Sequence, residues 1–79
     1  MKNLAWVGQC PVCVQGRQVI ARENDTEKMY VVCEDCESEW DTPQDAKAKK
    51  APSRDIFGAS TFLSRDEIAG HPWEEFLAK

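Results

Sequence analysis

The chain has 79 residues, 42% of them hydrophobic and 30% charged, with a net charge of −4. A domain this small has a marginal core and commonly depends on a metal, disulfides or a partner. No apolar run reaches the roughly 20 residues of a membrane span, and the start, MKNLAWVGQC, lacks an apolar stretch of signal-peptide length, so a cytoplasmic protein with no membrane partner is expected.

Residues 4–8 (LAWVG) predict a short strand. Residues 16–23 (GRQVIARE) and 27–33 (EKMYVVC) are rich in Val, Ile, Met and Tyr and flank a polar NDT cluster, which predicts a β-hairpin. Alternation places Met29 and Val31 on one face and Tyr30 and Val32 on the other. Residues 38–41 (SEWD) predict a further short strand that closes the sheet with the first.

Composition then shifts. Residues 42–55 hold two prolines and no large apolar side chain. A polar linker or loose helix is expected over 42–56, with Thr42 before Pro43 as a helix start. The stretch IFGASTF has no evident type. In LSRDEIAGHPW, Ser64 and Glu67 have capping-box spacing, and Leu63 and Ile68 flank that cap as a hydrophobic staple. Gly70 suits the helix end and Pro72 a fresh start. Trp73, Phe76 and Leu77 share one face of a final helical turn or two, so residues 57–79 are expected to form a short helical tail.

The four cysteines follow Cys-x2-Cys-x19-Cys-x2-Cys, within the spacing of tetrathiolate zinc sites. In a reducing compartment this pattern points to metal rather than to disulfides. Two thiolates on a tight turn can approach one cation together, and a hairpin between two such turns brings four sulfurs to tetrahedral vertices. Pro11 suits the first turn and Gly16 its exit. The motifs CPVC and CEDC, the hairpin-length spacer and the aromatic Trp40 resemble the zinc ribbons, whose knuckles are similar to those of rubredoxin. The resemblance covers about residues 4–41. It implies a small metal-stabilised β-rich domain over 1–41, with three to four short antiparallel strands. It also implies Cys10, Cys13, Cys33 and Cys36 as ligands of one structural Zn2+. Neither Cys13 nor Cys36 is followed by the Gly common in such knuckles, since Val14 and Glu37 stand there, and this makes iron the less expected metal.

Other chemistries fit less well. A redox dithiol needs a depressed thiol pKa, whereas Glu34, Asp35 and Glu37 around the second pair are expected to raise it. Catalytic zinc keeps an open coordination position, and four thiolates leave none. His71, the sole histidine, stands far from the cysteines, and Glu74 and Glu75 suit the first turn of a helix. No enzymatic activity is expected.

Charge narrows the partner. Residues 1–41 carry four basic and eight acidic side chains, while 42–79 carry six of each. Many zinc ribbons bind nucleic acid, but that requires cations facing phosphates, and the only basic patch is Lys47, Lys49, Lys50 and Arg54. The expected role is protein–protein binding, as an adaptor, regulator or inhibitor. The candidate contacts are Glu34, Asp35, Glu37 and Glu39 for a basic partner and Trp73, Phe76 and Leu77 as aromatic or apolar anchors. Those three can equally dock on their own sheet. The alternative is a nucleic-acid-binding ribbon of a transcription or RNA-processing assembly.

Overall fold

The computed structural model describes residues 3–54 and 56–78. The expected hairpin forms its centre: β2 (Arg17–Glu23) runs antiparallel to β3 (Met29–Cys33), with Ile20 opposite Val31 and Ala21 opposite Tyr30. Its turn closes through the Glu23 amide, which donates to the Lys28 carbonyl at 2.9 Å, and through Glu27, which takes a left-handed φ of 61°. The faces alternate as the residue types require. Ile20 and Val31 point into the main core with Met29 packed beside them, while Ala21, Tyr30 and Val32 form a second cluster under Phe57.

Two strands share the other edge of β2, end to end. β1 (Trp6–Gln9) pairs with its first half, and β5 (Ser60–Phe62), from the stretch of no evident type, pairs with its second. They meet at Ile20, whose N–H donates to the Ala5 carbonyl at 2.7 Å and whose carbonyl accepts from Leu63 N–H at 2.9 Å. The short strand β4 (Glu39–Trp40) corrects one expectation. It pairs with β3, on the opposite side of the sheet from β1. Residues 34–38 reverse the chain directly beside β3, and that adjacent edge is the one within reach.

The segment expected as a linker or loose helix is bound to the sheet. Thr42 caps helix α1 (Pro43–Lys47), its hydroxyl accepting from Asp45 N–H at 3.1 Å, and Pro43 and Ala46 are buried. The buried Gln18 amide donates to the Ala46 carbonyl at 3.2 Å, and the Trp40 indole N–H donates to the Lys50 carbonyl at 2.9 Å. Ser53 then bridges Glu39 through two backbone hydrogen bonds of 2.9 Å, covering the β4 edge. This matters because an unpaired strand edge invites aggregation.

The tail is part of the same body. Helix α2 (Arg65–Ile68) has the expected capping box: Ser64 Oγ accepts from Glu67 N–H at 3.3 Å, and Glu67 Oε1 accepts from Ser64 N–H at 2.9 Å. Leu63 and Ile68 are buried in the main core. Gly70 takes φ 83°, and a 3-10 helix (Pro72–Phe76) follows, capped by His71 Nδ1. Trp73, Phe76 and Leu77 pack half-buried against the core. Ala78 N–H donates to the Trp6 carbonyl at 2.9 Å, and the Arg65 guanidinium donates to the Ala78 carbonyl. Trp40 is buried; Trp6 is only half-buried, with the Arg17 guanidinium 5.8 Å from its ring centre.

Glu23 ties the loop before β5 to the hairpin. Its carboxylate accepts from Gly58 N–H at 2.5 Å and from the Thr26 hydroxyl. The Gly58 amide first, then Thr26 and the nearby Lys28, hold its pKa below the ordinary glutamate range. A depressed carboxylate stabilises the fold above its unfolded pKa, about 4.3 for glutamate, and loses that contribution as pH falls through the folded value. Carboxyl-resolved NMR titration should therefore place Glu23 below the ordinary range. The Gly58 amide resonance should move with the same midpoint, and Glu23→Gln should abolish that movement.

Candidate metal centre

Each Cys pair follows or ends a strand. Cys10 comes directly after β1 and Cys33 closes β3, so the two hairpin-adjacent ends deliver both knuckles to one corner of the sheet. The four sulfurs lie within 4.8 Å of one another. Two of the pairs cross between the knuckles at short range: Cys10 to Cys36 at 3.7 Å and Cys13 to Cys33 at 3.6 Å. Four sulfurs at about 2.3 Å from one cation stand about 3.8 Å apart at the vertices of a tetrahedron. The cluster thus fits a tetrathiolate ion, and the cysteines are unbridged thiols. Cys10 and Cys33 are buried in the main core, while Cys13 and Cys36 are partly exposed.

The turns aim their amides at sulfur. Val12 N–H donates to Cys10 Sγ, Gly16 N–H to Cys13 Sγ, and both Asp35 and Cys36 N–H to Cys33 Sγ, all at 3.4 Å. The Ser38 hydroxyl lies 3.2 Å from Cys36 Sγ. These dipoles favour thiolate, and burial opposes them. Burial pushes the Cys33 thiol up to about 12. The Gly16 and Gln15 amides hold Cys13 below its ordinary value. For Cys36, burial acts upward, but the Ser38 hydroxyl and amide together with the Cys33 and Cys10 thiols outweigh it and bring it to about 6. The expected upward shift holds at Cys33, through burial rather than through the neighbouring carboxylates, and is corrected at Cys36, where Ser38 carries the shift the other way. A divalent cation would hold all four as thiolates.

Two features were not legible in the spacing. The first is the tight fit at Gly16. A Cβ there would stand 2.6 Å from Cys33 Sγ and 2.8 Å from Asp35 Cβ, so only glycine lets the first knuckle's exit pass under the second. The second is backbone strain. Val14 and Glu37 hold φ of 60° and 64°, each directly after the second cysteine of its pair, and each donates its N–H to the first cysteine's carbonyl, at 3.1 and 3.2 Å. The left-handed region costs an L-residue roughly 1–2 kcal/mol, and it is least suited to a β-branched side chain. Glycine would remove that cost but adds about 0.5–1 kcal/mol of unfolded-chain entropy. Val14 is 62% exposed and would lose little packing. Val14→Gly is therefore expected to raise stability, by up to about 1.5 kcal/mol, with Glu37→Gly following more weakly. Denaturant midpoints of the metal-loaded protein measure this, and a lowered midpoint for Val14→Gly would contradict it.

The remaining candidate residues divide. Glu34 is paired within the chain: Arg17 donates to it from Nε at 2.6 Å, from its second guanidinium nitrogen at 3.1 Å and from its backbone N–H at 3.0 Å. This clasps the second knuckle to β2 and holds the Glu34 pKa down. Asp35 and Glu37 are exposed. Glu39 is only 6% exposed, its carboxylate accepting from Ile56 N–H at 3.1 Å, so it does not belong to an open acidic surface. In the basic patch Lys47, Lys49, Lys50 and Arg54 are exposed, and Lys50 pairs with Asp45 at 3.2 Å.

Comparison with protein-family models, curated proteins and solved structures returned no match.

Proposed function

We propose that the protein is a small non-enzymatic zinc protein of the cytoplasm that acts by binding another protein. One structural Zn2+ would be held by Cys10, Cys13, Cys33 and Cys36. The observation that carries this is the sulfur cluster. The four cysteine sulfurs lie within 4.8 Å of one another, and a cation held by all four would have no position left for a substrate or an activated water. The metal's contribution is then to the fold, and the function lies on the surface that it organises.

That surface is anionic around the second knuckle, through Asp35 and Glu37, and a divalent ion with four thiolates adds about −2. Such a field favours a basic protein partner and repels a phosphate backbone. No described helix is long and apolar enough to cross a membrane.

Metal analysis of purified protein should find one zinc per chain and no visible charge-transfer absorption of an iron tetrathiolate. Affinity capture from the native host should recover a protein partner whose binding weakens with Asp35→Asn plus Glu37→Gln. Binding of DNA or RNA at low salt that disappears on joint mutation of Lys47, Lys49 and Lys50 would replace this function with the nucleic-acid one.

A further inference from the structure

On the sheet face opposite the main core, a groove of about 370 Å³ runs from the second knuckle to β5. Its floor is aromatic and aliphatic: Tyr30, Val32, Phe57 and Phe62 line it. Phe57 stacks on Tyr30 with ring centres 3.9 Å apart and planes 12° from parallel. The Tyr30 hydroxyl and Ser60 Oγ hydrogen-bond at 2.6 Å, which fixes that stack against β5. The rim at the knuckle end is acidic, through Asp35 and Glu37.

Glu39 separates this groove from an ordinary acidic patch. Its side chain lines the groove while the residue is only 6% exposed, and one carboxylate oxygen accepts from Ile56 N–H. Among the described residues no cation lies within ion-pair distance of it; the ion pairs there are Arg17–Glu34 and Lys50–Asp45. The Ile56 amide satisfies one carboxylate oxygen, and no buried side-chain oxygen is left without a partner among the described residues; a cation reaching this carboxylate from the groove would add the countercharge that the chain does not supply. Tyr30 and the chain's own Lys28, whose Nζ stands 5.2 Å from the Phe57 ring centre, already engage that ring, so an incoming stem meets the edge of Phe57 and the open side of Phe62, which is 38% exposed. A side chain with an apolar stem and a cationic head satisfies both floor and rim.

We propose that this groove binds a basic, extended segment of a partner protein, laying an arginine or lysine stem along Phe57 and Phe62 with its cationic head toward Glu37 and Glu39. This rests on the protein-binding function proposed above and adds the place and the chemistry of the partner. A nucleic acid fits poorly here, because its phosphates would face carboxylates. A free divalent cation would leave the aromatic floor unused.

The test is a titration of the zinc-loaded full chain, observed by amide NMR at low salt, with the peptide Ac-Gly-Arg-Gly-Arg-Gly-amide and its Glu-for-Arg counterpart. The basic peptide should move amides of residues 34–37 and 56–60, and the acidic one should not. Glu37→Gln with Glu39→Gln should weaken binding by about tenfold; the glutamine at 39 retains the acceptor for Ile56 N–H, so the loop stays held. Phe57→Leu, which keeps the floor apolar but removes the ring, should weaken it by about threefold or more. Zinc content and spectral dispersion confirm that each variant is folded.

The proposal falls if the peptide moves amides around Asp25, Asp66 and Glu74 as strongly as those of the groove, if the acidic peptide binds equally, or if both variants bind like the parent. It also falls if Ca2+ moves the groove amides and the peptide does not. Peptide failure with continued protein capture through another surface overturns the groove alone. Failure of a zinc-loaded protein to capture any protein overturns the broader function.

Discussion

Cys33→Ala is expected to cost the protein its metal and its native fold together. Cys33 closes β3, is 1% exposed, and belongs at once to the sulfur cluster and to the main core. Its Sγ receives two amides and sits 3.6 Å from Cys13 Sγ, so its loss opens the cluster on its buried side. Structural zinc contributes about 10–16 kcal/mol in small domains, against a typical net stability of about 5–15 kcal/mol. Loss of such an ion would therefore remove an amount comparable to the entire margin. Chelation of the parent protein should give the same result, with loss of the sheet's far-UV circular dichroism and a red shift of Trp40 emission. A chelated protein that keeps its dispersed amide spectrum would show that the core folds without metal. Acid should act in the same direction, since bound thiolates release their metal as they take up protons.

The second large effect is expected far from the cysteines in the chain. Leu63→Ala and Ile68→Ala should each lower stability by about 2–5 kcal/mol while leaving metal binding as in the parent. Both side chains are almost wholly withdrawn from solvent, at 2% and 1% exposure, and they flank the Ser64 cap within the main core. Neither belongs to the four-sulfur cluster, so the expected loss is one of packing and cavity formation. Trp73→Ala should cost less, because Trp73 is only partly buried. Thermal or denaturant unfolding of the zinc-loaded variants measures all three. A Leu63→Ala protein as stable as the parent would mean that residues 60–77 are an appendage after all.

The distinction bears on function. Trp73, Phe76 and Leu77 are half-buried against the core, so a partner would meet only part of each side chain unless the tail lifted, and Ala78 is tied to Trp6 and Arg65. Asp35 and Glu37 need no such rearrangement. Of the two candidate contact sets, the acidic one keeps Asp35 and Glu37 exposed in the folded protein.

The sequence alone determined what depends on neighbours in the chain. The cysteine spacing, the hairpin around NDT, the alternation of Met29 and Val31 against Tyr30 and Val32, the Thr42–Pro43 start and the Ser64–Glu67 cap all rest on interactions a few residues long. Their residue types therefore announce them. The tertiary structure decided what depends on long loops closing. It set the edge that β4 joins, the pairing of IFGASTF with β2, the burial of Ala46 and the docking of the tail. It withdrew Glu39 from the acidic surface, and it demanded glycine at position 16, where another knuckle's sulfur leaves no room for a Cβ. Those outcomes turn on which surfaces meet in space, and a polar or small residue carries no local mark of the neighbour it will acquire.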